Sequence, residues 1–125
     1  MKEKCVLVVR NDLDKGLQMN AAVILGICAG ALRPDLNGPA AADESGRLLH
    51  GIVTIPVPVL AAGREAMESL RRETSFVFTD IAQGSRTYEE YRRKQGQADG
   101  QALGLLLLGP EKRIRKLTGH LPLAK

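Results

Sequence analysis

The side chains able to do chemistry fall into three groups. Near the N-terminus, Arg10, Asn11, Asp12 and Lys15 crowd one polar turn, and Asn20 follows close behind. Asp12 could position a substrate or orient the Lys15 ammonium. Its alternative role is a carboxylate capping its own turn through backbone N–H groups. Arg10 and Lys15 read as solvated charges unless a pocket there holds an anion, in which case Asn11 and Asn20 join them as ligand-binding candidates. The second group is Asp80, directly after the apolar run Ser75–Thr79. α/β domains place working groups at the carboxyl ends of strands. Asp80 could therefore act as a base, or do no more than end the strand. The third group, Ser85, Arg86 and Thr87, could bind phosphate at a helix N-terminus. The plainer reading, an N-cap with its preceding loop, is favoured.

Other chemistries lack their patterns. No histidine pairs with a serine as a nucleophilic triad would require. Cys5, Cys28, His50 and His120 are scattered without metal-ligand spacing. Neither G-x-x-x-x-G-K nor G-x-G-x-x-G occurs. No metal and no cofactor is expected.

Eight elements would have to position these groups. Val6–Val9 is an unbroken apolar run, suited to a strand covered on both faces. A helix begins near Leu17–Asn20 and runs to Leu32, stopped by Arg33-Pro34. It has almost no polar face, so it is either buried or packed on a second subunit. Residues 34–51 form a long Pro-, Gly- and Asp-containing loop, either a binding loop or simply mobile. Leu48–Val57 reads as a second strand and Val59–Arg72 as an amphipathic helix. Ser75–Thr79 is a third strand, followed by a polar loop, 80–86. Thr87-Tyr88-Glu89-Glu90 fits the capping-box pattern at the head of a charged helix ending near Lys94. There Tyr88 and Tyr91 share the face that docks on the body. Residues 95–101 form a linker, Leu103–Leu108 a fourth strand, and Gly109-Pro110-Glu111 opens a basic last helix that Gly119 caps. The alternation β-α-β-α-β-α-β-α predicts one layered α/β domain over residues 1–125.

Composition agrees with a single domain of 125 residues. Apolar residues make up 44% and aromatics only 3%, so the core is aliphatic. The first helix is too short and too glycine-rich to read as a membrane span. The N-terminus, with acidic Glu3, does not read as a secretory leader. Both cysteines fall in core elements and read as free thiols of a cytoplasmic protein. The net charge of +4 permits a polyanionic partner without requiring one.

Two stretches carry a family resemblance. Val6–Ala22, VLVVRNDLDKGLQMNAA, resembles the strand, D-L turn and Ala-Ala helix start of type-two peptidyl-tRNA hydrolases, through Asp12-Leu13 and Ala21-Ala22. The C-terminal stretch LLLLGPEKRIRKLTGHLPL resembles that family's closing strand, basic helix and T-G-H-L ending, through Gly109-Pro110 and Thr118–Leu121. The resemblance implies a three-layer α/β/α sandwich with a four-stranded mixed sheet, commonly dimeric. Here Leu17-Gln18-Met19-Asn20 stands where that family carries a lysine. Val23-Ile24-Leu25-Gly26 stands where it carries a Q-C-x-H segment. Oxyanion stabilisation loses its donors with those residues. The pattern is that of an uncharacterised bacterial offshoot.

Two functions follow as expectations. One is a divergent hydrolase in which Asp12 and Asp80 converge, with Lys15 and Thr87 nearby. The other is a non-catalytic binding module for RNA, a nucleotide or a small anion. Arg92, Arg93, Lys94, Lys112, Arg113, Arg115 and Lys116 motivate the tRNA version. A homodimer is expected from the apolar first helix.

Overall fold

The computed structural model describes residues 2–125. The apolar run near the N-terminus is the centre of β1 (Glu3–Arg10). Its side chains alternate between two cores. Val6 and Val8 face one layer with Met67, Leu70 and Ile114. Cys5, Leu7 and Val9 face the other with Ala21, Leu25 and Phe78. With both faces covered, no polar alternation is needed. The second central strand, β6 (Ala102–Pro110), divides its leucines in the same way.

Two shorter strands complete the sheet, β4 (Val59–Ala62) and β5 (Val77–Thr79). The order is β4-β1-β6-β5. β4 runs parallel to β1, β6 antiparallel to it, and β5 antiparallel to β6, so the sheet is mixed. Helix α1 (Lys15–Leu32) covers one face. Helices α2 (Arg64–Arg71) and α5 (Glu111–Thr118) cover the other. Two more helices, α3 (Asp80–Gly84) and α4 (Tyr88–Gln95), follow β5. The C-terminal tail lines the outer edge of β4: Ala61 N donates to Pro122 O, and Ala124 N to Val59 O. Edge N–H and C=O groups are thereby paired.

Three expected elements are corrected. The second strand of the sheet is Val59–Ala62, not Leu48–Val57. Pro56 and Pro58 interrupt the β-branched run with residues that have no N–H to offer a ladder. Leu48–Leu49 (β3) instead pairs with Ala41–Ala42 (β2) in a small separate hairpin. The second helix correspondingly starts at Arg64, after Gly63, and not at Val59. Finally, α3 occupies part of the segment read as a polar loop. Thr79 caps it by accepting from Ala82 N at 3.2 Å.

Helix α1 begins two residues earlier than the apolar pattern suggests, because Asp14 caps it, accepting from Leu17 N at 2.9 Å. At 18 residues it is long and apolar enough, by length and composition, to cross a bilayer. Here it lies on the sheet through Gln18, Ala21 and Leu25.

Its far end is clamped by Arg33. Nη1 and Nη2 donate to the two carboxylate oxygens of Glu3 at 2.6 and 2.7 Å, and Nε and Nη2 to those of Asp35 at 2.8 and 2.7 Å. The guanidinium holds both carboxyls below their ordinary values of 4.5 and 3.8. The unfolded chain therefore binds more protons across that range, so stability rises with pH there. The contribution is complete above the ordinary values and is lost as pH falls through the lower folded ones. Arg33→Met is accordingly expected to flatten the acid limb of the stability curve. Thermal melts of both proteins from neutrality to below pH 3.8 check this.

Candidate functional site

Strand directions put the carboxyl ends of β1, β4 and β5 and the amino end of β6 at one end of the sheet. The two predicted carboxylates meet there through intermediaries. Arg10 Nε donates to Asp12 Oδ1 at 2.6 Å, and Arg10 Nη1 to Gln101 Oε1 at 3.0 Å. The Gln101 backbone N donates in turn to Asp80 Oδ1 at 2.8 Å. Arg64 Nε, on α2, donates to the other oxygen of Asp12 at 3.1 Å.

This rim is a closed network. Both oxygens of Asp12 are engaged, and the Arg10 guanidinium beside it, aided by Arg64, holds its carboxyl below the usual range. A carboxylate stabilised in that way is a poor proton acceptor. Arg10 is not the solvated charge expected, because only 9% of its side chain is exposed. Nor is 95–101 a loose linker. Arg71 donates to the carbonyls of Gly100 and Asp99, Gln95 to those of Ala98 and Asp99, and Glu68 accepts from Ala102 N. Gly100 adopts φ +69°, and a Cβ there would lie 2.7 Å from Asp80 Oδ1. Only glycine lets this segment pass so close to the carboxylate.

The remaining predicted residues of the first turn make no side-chain hydrogen bond or ion pair with Asp12 or Asp80 among the described residues. Lys15 is exposed at the start of α1 and enters none of the side-chain hydrogen bonds or ion pairs among the described residues. Asn11 is exposed, and its backbone N donates to Ala62 O. Asn20 Nδ2 reaches Gln83 Oε1 at 3.4 Å.

Ser85, Arg86 and Thr87 sit elsewhere, on the wall of a cleft of about 460 Å³. Ile24, Leu25 and Cys28 of α1 line one side. Residues 75–78 form another, Ala82 belongs to α3, and Tyr88 and Tyr91 come from α4. The chain has two Phe, two Tyr and no Trp. All four aromatic side chains, Phe76, Phe78, Tyr88 and Tyr91, border this one cleft. The tyrosine rings lie 5.5 Å apart at 58°. Tyr91 is half-buried, whereas Tyr88 is 73% exposed and does not dock as its spacing suggested.

The polar groups of this wall divide by availability. Thr87 Oγ1 accepts from Glu90 N at 3.1 Å, and Glu90 Oε2 accepts from Arg86 N at 3.1 Å. Both groups are thus engaged within the chain, the glutamate reaching one residue before the N-cap Thr87. Lys94 and this backbone donor hold the Glu90 carboxyl below its ordinary value. Ser85 Oγ donates to Ile81 O at 2.7 Å. The Arg86 guanidinium is exposed and makes no hydrogen bond or ion pair among the described residues. An apolar slot beside one uncommitted cation suits an organic anion with a flat apolar body.

No group of His, Cys, Asp and Glu among the described residues could hold a metal ion. Cys5 and Cys28 are free thiols, and burial pushes the Cys5 thiol up. Part of the basic surface is neutralised locally: Lys94 pairs with Glu90, Arg113 with Glu73 and Arg115 with Glu111.

These features define a mixed α/β domain with a four-stranded sheet, a polar rim and an aromatic cleft. Residues 3–125 match the model of DUF2000, a family of proteins of unknown function, and the chain belongs to that family. It is similar to a solved structure from Agrobacterium tumefaciens, itself a protein of unknown function. That likeness has 17% identity and a TM-score of 0.87, covering 100% of this chain and 99% of the other. Among curated proteins nothing matches. The two terminal motifs thus belong to a family without an assigned reaction, and neither match names a peptidyl-tRNA hydrolase.

Sequence reasoning passed over Gln18, Gln101, Arg64 and most of the cleft. Gln18 is buried, donating to Arg10 O at 3.0 Å, and nothing in its apolar helix marks that partner. The cleft did leave a signal. Phe76 and Phe78 share a strand face at spacing two, Tyr88 and Tyr91 a helix face at spacing three, and all four fall within 76–91.

Proposed function

We propose that this protein is a non-catalytic binding module for a small organic anion with an aromatic body. The observation that carries the reading is the convergence of all four aromatic residues on one cleft beside Arg86. The apolar body would lie between α1 and β5, and its acidic group would meet the guanidinium. Free thiols at Cys5 and Cys28 fit a cytoplasmic setting.

The hydrolase reading keeps one support, the shared rim of Asp12 and Asp80. It asks a base of two carboxylates that already accept hydrogen bonds. Lys15 has no contact linking it to either. The tRNA reading meets a basic surface in which Lys94, Arg113 and Arg115 are paired with carboxylates.

Titration with anilinonaphthalene sulfonate, an aromatic anion that fluoresces when desolvated, tests the proposal. The expected result is a saturable single-site curve. Arg86→Glu should weaken it by about tenfold, as loss of a charge-assisted contact implies, with melting unchanged. Equal affinity in Arg86→Glu, or no saturable signal in the native protein, would overturn it. Turnover of simple esters that Asp80→Asn removes would restore the hydrolase reading.

A further inference from the structure

Helix α1 is apolar on the face turned away from the sheet as well as on the face against it. Met19, Val23 and Ile27, four residues apart, are 62%, 61% and 69% exposed. From Gly16 to Leu32 the helix carries no charged residue. A surface helix ordinarily puts its polar side chains there.

The same face carries a hollow. A second cleft, of about 240 Å³, is floored by Gly26, Ala29 and Gly30 and walled by Val53 and Val57. A Cβ built on Gly26 or Gly30 meets nothing within 4 Å. These glycines are therefore not needed for the packing of a single chain. The one charged residue lining this cleft, Arg33, pairs with two carboxylates, Glu3 and Asp35, so the trio carries one net negative charge.

We propose that this face joins two copies of the chain. Ridge and hollow lie side by side on one helix, as an isologous two-fold contact requires, since each copy must offer both shapes. The absence of charge along the helix from Gly16 to Leu32 matters as much. Two such uncharged stretches can meet without desolvating an ion, while Asp35 of the Arg33 trio, with a side chain 63% exposed, stays in water. Val23 and Ile27 of one copy would enter the hollow of the other. A lipid surface fits less well. Interfacial helices carry a basic polar face toward water, and the opposite face of α1 is committed to the sheet.

Light scattering after size exclusion, at micromolar concentration, tests this. The native chain should run at twice its 13.5 kDa mass. Ile27→Asp should run as a monomer. Gly26→Leu should also run as a monomer while melting no lower than the monomeric Ile27→Asp, because its side chain enters open space in one chain and fills the hollow a partner needs. A monomeric native protein would overturn the proposal, and so would a dimer that survives both substitutions. Flotation of a monomeric native chain with phosphatidylcholine vesicles would assign the face to a membrane instead.

Discussion

Gly104→Val is expected to lower the unfolding free energy by about 3 kcal/mol, at the upper end of what overpacking a dense core costs. Gly104 sits on β6 where α1 presses against the sheet. A Cβ there would lie 3.0 Å from Leu25 Cδ1 and 3.2 Å from Ala21 Cβ. Ala21 and Leu25 are 0% and 2% exposed, so neither has room to retreat. The neighbouring ladder is irregular as well: Phe78 pairs with Gly104, but Thr79 pairs with Ala102. Leu103 is bulged out of the pairing, which turns both Leu103 and Gly104 toward the α1 side. Valine would have to push the helix outward, opening the layer that also forms the aromatic cleft. Urea unfolding monitored by circular dichroism checks the cost. A loss under about 1 kcal/mol would mean that the layer yields more easily than dense packing allows.

Arg10→Ala is expected to cost about 2 kcal/mol, from lost packing and two lost charge-assisted hydrogen bonds. Arg10→Met should cost less. It keeps the buried volume and removes the need to desolvate a guanidinium. The sign separates two views of the rim. A clamp loses stability when its central cation is removed. An active site that stores strain commonly gains stability on substitution. Chemical denaturation of both variants reads the difference, and a more stable Arg10→Ala would return the rim to the list of reactive sites.

The fold was largely legible because its two central strands are apolar on both faces. Val6–Val9 and Leu103–Leu108 could serve only where layers cover each side. The edge was not legible. Val59-Leu60-Ala61-Ala62 is short and alanine-rich, and it becomes a strand by pairing with β1, with the tail covering its other side. Ile52–Val57 has the better strand composition, but proline leaves it without the donors a ladder needs. Pairing partners distant in sequence decide such cases, and local propensity is overridden.

The rim was half legible. Asp12 and Asp80 do share one end of the sheet, as their places after strands suggested. Their hydrogen bonds come from Arg10, Arg64 and the Gln101 backbone, whose partners lie up to 91 residues away. No spacing rule reaches that far. The cleft was legible in principle, because aromatic residues are scarce and fall at strand and helix periodicities within 76–91.

That scarcity also gives the most direct test. Apart from His50 and His120, every aromatic ring signal in the proton NMR spectrum comes from Phe76, Phe78, Tyr88 and Tyr91. Titration with naphthoate should shift the four phenylalanine and tyrosine spin systems together and saturably, leave both histidines still, and lose the effect in Arg86→Glu. Shifts confined to backbone signals around Asp12 and Asp80, or no saturable change at any of the four rings, would contradict the assignment of this cleft as the binding site.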